Sequence, residues 1–186
     1  MRRCVPGGFT LVEVLVAMFV LAVGAFGAAT TQAQVARLRG QAALESEAVQ
    51  LAASLAARMQ ANPAQMALPD AANPYLQLDY DAAAGDPAVP PAHCFGATDC
   101  DSAGMARFDL YETQRLLRSA FPGGRIAVCR DATVWSAVLQ APDWECVSSP
   151  SAPIVIKLGW RLRAEAGQPA PEASEAAAFV TLVVPG

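Results

Sequence analysis

With 186 residues, the chain has room for one globular domain and a long additional element but not for two full domains. It is 54% apolar and 16% charged, and much of the apolar excess lies near the N-terminus, which points to a membrane segment. A net charge of -4 and a single lysine leave no basic footprint, so bulk charge does not support nucleic-acid binding.

The chain opens with a short basic leader, residues 1–8, MRRCVPGG, which ends in two glycines. From Phe9 to Ala29 it reads FTLVEVLVAMFVLAVGAFGAA, and at about 1.5 Å per residue a helix over such a run spans about 31 Å, the hydrocarbon thickness of a bilayer. Arg2 and Arg3 precede this run and no further Lys or Arg occurs before Arg37, so the positive-inside bias keeps the N-terminus cytoplasmic and exports the chain beyond Ala29. An ordinary secretory signal would be cut after the apolar stretch, near residues 25–29. A cut at the cytoplasmic face between Gly8 and Phe9 instead leaves the helix on the mature protein. Glu13 favours that second site. A carboxylate inside an apolar span costs on the order of 3 kcal/mol, and a free amine on Phe9, in the same chain or on a neighbouring subunit, would neutralise it.

The segment GFTLVEVLVA, residues 8–17, resembles the N-terminal motif of type IV prepilins and the related pseudopilins. The resemblance implies that a prepilin peptidase cuts after Gly8 and methylates the new amine of Phe9. It also implies that Glu13 pairs with the first residue of an adjacent subunit during assembly. Thr30 departs from the pattern, because many major pilins carry a helix-kinking proline there.

Leu44, Ala48, Leu51, Leu55 and Met59 recur every three or four residues, one apolar stripe on a continuing helix. Pro63 drives Asn62 out of the α region, so the helix is expected to end at about Ala61. Such a helix is on the order of 80 Å long. Residues 62–92, rich in Pro, Ala and Asp, show no sustained period and read as a loop lying over the head. A second helix is expected over residues 102–120, capped by Asp101 or Ser102, with Phe108, Tyr111, Leu117 and Phe121 inward and Pro122-Gly123-Gly124 ending it. Strand-like runs come next at 125–129, 133–139, 154–163 and 177–184, with a polar connection at 164–175.

The expected fold class is α+β, a type IV pilin fold in which a long N-terminal helix packs on an antiparallel sheet head. Its domains are a cleaved leader at 1–8, a membrane or filament-core segment at 9–29, the amphipathic half of the same helix at 30–61, and a globular head at 62–186. Within that family, RMQANP at 58–63, the Cys94 and Cys100 pair followed by ARFDLYETQ at 106–114, FPGG at 121–124 and the strand ending IKLGWRLR are similar to the PilV-type minor pilins.

Cys94, Cys100, Cys129 and Cys146 form an even set beyond the membrane segment, which suggests disulfides in an oxidising compartment. Three pairings are open, and the sequence-local one, Cys94 with Cys100 and Cys129 with Cys146, is preferred. His93 is the lone histidine and has no partner motif for nucleophilic catalysis. Oxidised cysteines beside it do not ligate zinc. An EF-hand loop counted from Asp99 fails because Ala103 and Leu110 stand where oxygen ligands are needed. No catalytic residue, metal or cofactor is therefore expected.

The expected function is that of a minor pilin in pilus assembly or initiation, serving pilus-dependent motility or adhesion. Its implied partners are prepilin peptidase, other minor pilins, the major pilin and, before assembly, the inner membrane. A type II secretion pseudopilin is the nearest alternative, and a membrane-anchored extracytoplasmic enzyme is the alternative of another class.

Overall fold

In the computed structural model, which describes residues 10–95, 99–137, 141–149, 151–161 and 178–184, helix α1 runs Leu11–Ala61. It passes through residue 30 as unbroken helix, so the threonine there does not interrupt it. Asn62, at φ -119°, has left the helical region, as the steric demand of Pro63 requires. The chain divides into two compact units, Met1–Ala43 and Leu44–Gly186, and α1 contributes to both.

Over residues 11–29 the first unit is apolar helix with its side chains in the open. Leu11, Val14, Leu15, Phe19, Leu21 and Phe26 are all exposed, which in water is unfavourable for so large a contiguous patch. The stretch is long and apolar enough to cross a membrane.

The second unit is built on the stripe that continues from Leu44. Ala48, Ala52, Leu55, Ala56 and Met59 of α1 are buried in one core with Ile126, Val128, Ile156, Leu158 and Trp160. Small residues at three of those five helix positions let the helix backbone lie close to the strands. After α1 come a short helix α2, Pro63–Met66, a 3₁₀ turn, Pro74–Gln77, and strand β1, Asp79–Asp81. Helix α3 spans Ser102–Ala120, with Asp101 Oδ1 accepting from Gly104 N at 2.6 Å as its N-cap. Phe108, Leu117 and Phe121 are buried, and Tyr111 is half-buried. Gly123 then takes φ +55°, a left-handed conformation open to glycine at little cost.

Strands β2, Arg125–Arg130, β5, Ile154–Trp160, and β6, Ala178–Val184, join β1 in an antiparallel sheet of order β1-β2-β5-β6. A separate hairpin pairs β3, Trp135–Ser136, with β4, Ala141–Pro142. The chain is thus α+β, a long N-terminal helix with a small antiparallel sheet, consistent with the type IV pilin fold.

Three sequence expectations need correction. The 62–92 segment is not all loop: it holds α2, the 3₁₀ turn and β1, which pairs Asp79 with Ala127 at the edge of the sheet. The 133–139 run does not enter the main sheet. Both sides of β2 and of β5 are already paired, so the run folds back on itself as β3 and β4; residues 138–140 lie outside the described set. The 154–163 strand stops at Trp160, and Leu162 and Arg163, with Ala177 ahead of β6, lie outside the described residues.

Candidate assembly site and the polar centres of the head

Thr10 opens α1. Its Oγ1 accepts from Glu13 N at 3.3 Å and its carbonyl oxygen accepts from Glu13 N at 3.1 Å and Val14 N at 3.3 Å, so Thr10 acts as N-cap and Glu13 stands at the third helical position. This is the threonine-x-x-glutamate spacing of a capping box, a signal in residues 10–13 that the sequence reading did not use. Glu13 is exposed and lies in the first turn, where the positive end of the helix dipole favours a carboxylate. Gly8 and Phe9 lie outside the described residues.

In the head, two stretches far apart in sequence meet at Asp109. Arg58 Nη1 donates to Asp109 Oδ1 at 2.8 Å, Tyr75 Oη donates to Asp109 Oδ2 at 2.9 Å, and Asn62 Nδ2 donates to Tyr75 Oη at 3.3 Å and to Ser102 O at 2.8 Å. Arg58 and Asn62 belong to RMQANP and Asp109 to ARFDLYETQ. The end of α1 is thereby tied to α3 through the buried Asn62, Tyr75 and Asp109 and the half-exposed Arg58, each with a partner. Burial pushes the Tyr75 phenol well above its ordinary value; the hydrogen bond from Asn62 opposes this and the Asp109 carboxylate reinforces it.

A second polar centre lies on the other face of the sheet. Lys157, the chain's one lysine, sits on β5 and is fully buried. Its Nζ lies 2.6 Å from Asp131 Oδ2 and donates to Asp143 O and Glu145 O, each at 2.8 Å. Asp131 Oδ1 in turn accepts from Thr133 N at 3.0 Å and Val147 N at 3.1 Å. Burial of Asp131 disfavours its charge, but the Lys157 hydrogen bond and the two backbone N–H groups outweigh it and hold the carboxyl below the usual range. This centre was missed from the sequence. The available signal was a lone lysine, in IVIKLGW, in the middle of an apolar strand.

The cysteines are joined as Cys94–Cys100, with Cα atoms 5.7 Å apart, and Cys129–Cys146, at 6.4 Å. His93 packs among rings, 5.7 Å from Phe95 and 6.0 Å from both Phe108 and Tyr111 between centroids. Among the described residues no group of three His, Cys, Asp or Glu side chains is placed to hold a metal ion.

Residues 6–29 match the prokaryotic N-terminal methylation motif. The match brackets Gly8, Phe9, Glu13 and the exposed apolar turns of α1. It supports a type IV pilin-like or pseudopilin-like protein, and with it processing by a prepilin peptidase and a pilus-assembly context. The motif points to a structural protein rather than an enzyme, and motif and apolar helix together fit an inner-membrane anchor later drawn into a filament. No curated protein and no solved structure matches the chain.

Proposed function

We infer that the chain is a minor subunit of a type IV pilus, of the PilV type, that acts by assembly. The observation that carries this reading is a methylation motif over residues 6–29 that coincides with the stretch of α1, Leu11 to Phe26, whose large apolar side chains are exposed. Residues 1–8 are the leader, 9–29 the membrane and filament-core segment, 30–61 the amphipathic remainder of the helix and 62–186 the head. Prepilin peptidase cuts between Gly8 and Phe9 and methylates the Phe9 amine, which stays protonated. Glu13 is then neutralised by the N-terminal amine of an adjacent subunit as the helix leaves the bilayer, a transfer that removes the cost of an unpaired carboxylate in hydrocarbon.

Several features favour the PilV-type reading. The motifs RMQANP and ARFDLYETQ supply Arg58, Asn62 and Asp109 to one hydrogen-bonded network. The head carries Cys129–Cys146 and Cys94–Cys100, in keeping with export to an oxidising compartment. Partners in this reading are the other minor pilins and the major pilin, and the outcome is pilus initiation with the motility or adhesion that depends on it. The deciding experiment is to delete the chain's gene and score two phenotypes in parallel. Loss of surface pili with secretion intact supports the assignment; loss of type II secretion with pili intact replaces it by a pseudopilin.

A further inference from the structure

The lysine centre and the disulfide that closes 17 residues of sequence around it are not independent. All three acceptors of Lys157 come from the segment that Cys129 and Cys146 delimit: Asp131 Oδ2 near one end, Asp143 O and Glu145 O near the other. The two ends are also stitched to each other. Val147 N donates to Asp131 Oδ1 at 3.1 Å and Ala132 N donates to Val147 O at 3.1 Å. Lys157 itself stands on β5, with β2 on one side and β6 on the other, so its position is set by the sheet. Fully withdrawn from water, the ammonium depends on these three acceptors for as long as the segment covers it.

We propose that Lys157 and the Cys129–Cys146 disulfide form an oxidation-gated latch, in which the buried ammonium holds both ends of the segment in place for bond formation and the bond then locks the ammonium's acceptors over it. Closure is a thiol–disulfide exchange. The two cysteine thiols give up two electrons and two protons to an external disulfide oxidant, which leaves as a dithiol. Before that exchange only the Lys157 contacts and a few hydrogen bonds hold residues 143–147 in place, so opening of that stretch takes two of the three Nζ partners with it. The segment over Lys157 therefore closes stably only where an oxidant is present. Coupling of this kind is an effective-concentration effect: the ammonium raises the encounter frequency of the two sulfurs, and by linkage the bond raises the occupancy of the ammonium's acceptors. The latch belongs to the head's own chemistry and does not depend on the filament assignment.

The test uses the full chain in detergent micelles, equilibrated in buffers of reduced and oxidised dithiothreitol, quenched by alkylation and read by peptide mass at each cysteine pair. The comparison is with the double variant Asp131→Asn/Lys157→Met, which removes both charges while the side-chain amide oxygen at position 131 can still accept from the Thr133 and Val147 amides. The expected result is a tenfold or larger fall in the equilibrium constant for forming Cys129–Cys146, with that for Cys94–Cys100 unchanged. A smaller fall, or an equal fall at both pairs, overturns the latch. A second measurement needs no variant, so a failure of the double variant to fold leaves the question decidable. In the unaltered chain, selective reduction of Cys129–Cys146 is expected to abolish hydrogen-exchange protection of the Ala132 and Val147 amides, which bond across the two ends of the segment. Retained protection there overturns the proposal.

Discussion

Two carboxylates carry opposite lessons about charge in apolar surroundings. Glu13 is exposed in the first turn of α1, and in the proposed mechanism its partner arrives from another subunit. Glu13→Val is expected to be inserted and cleaved normally, to accumulate in the inner membrane, and to be strongly reduced in sheared pili. Glu13→Gln, which keeps shape and loses charge, should follow Val; Glu13→Asp should lie between them and the unaltered chain. Equal recovery of all four forms in sheared pili refutes charge pairing. Asp131, by contrast, already has its partner within the chain. Because its folded pKa lies below the unfolded value of about 3.9, the stability it contributes is present above that pH and is lost as pH falls through the folded value. Urea midpoints are therefore expected to decline with acidification below about pH 5, and the decline should be shallower in Asp131→Asn/Lys157→Met. Removing the lysine alone, as Lys157→Met, leaves a buried uncompensated carboxylate and should cost about 3–5 kcal/mol in the same assay. The lone lysine in IVIKLGW was a signal, but its pairing with Asp131 was not legible in the sequence, because it depends on which face of β5 the 131–147 segment covers.

At the level of elements, repetition is the part that could be read from sequence. The stripe from Leu44 to Met59 and the apolar spacing of α3 persist over several turns, and both helices are present with the expected ends at Ala61 and Ala120. Strand β1 is three residues long, too short for alternation to register, and its acidic sequence DYD gives no apolar signal. The 133–139 run has strand-like composition, but composition does not say that both sides of β2 and of β5 are already paired. The network at Asp109 fixes the seating of α3 on the end of α1 and can be dissected. Tyr75→Phe should cost about 1 kcal/mol, the net value of a hydrogen bond lost. A double-mutant cycle between Tyr75→Phe and Asp109→Asn should show coupling, since both changes act on one bond. Additive costs would mean that the 2.9 Å contact between Tyr75 and Asp109 contributes nothing. At the turn after α3, Gly123→Ala combines a left-handed backbone with a Cβ placed 2.9 Å from Arg161 side-chain atoms. A loss of about 1–2 kcal/mol is expected from the backbone term alone, read as a lowered thermal midpoint.

For the whole molecule, the N-terminal apolar stretch was the most legible part of the sequence, because a membrane imposes a length, a charge asymmetry and an intolerance of carboxylates that few other settings impose together. The same stretch is the one matched by the methylation motif. The head was legible in its class and not in its connections, since pairing order and buried ion pairs depend on which distant segments share a face. Intact mass of the mature protein is expected to correspond to a start at Phe9 with one added methyl group; a start near residue 30 would remove the filament reading altogether. The burial of Lys157 also has a practical side for such experiments. With the chain's one lysine fully enclosed, an acylating reagent applied to the folded protein has no side-chain amine to attack, and the remaining candidate is the terminal nitrogen. With a mature start at Phe9, fluorescent labelling through amines would thus tag the N-terminal end of the chain instead of decorating the head at random. Whether that tag is accepted before and after incorporation would report directly on how accessible the first residue remains.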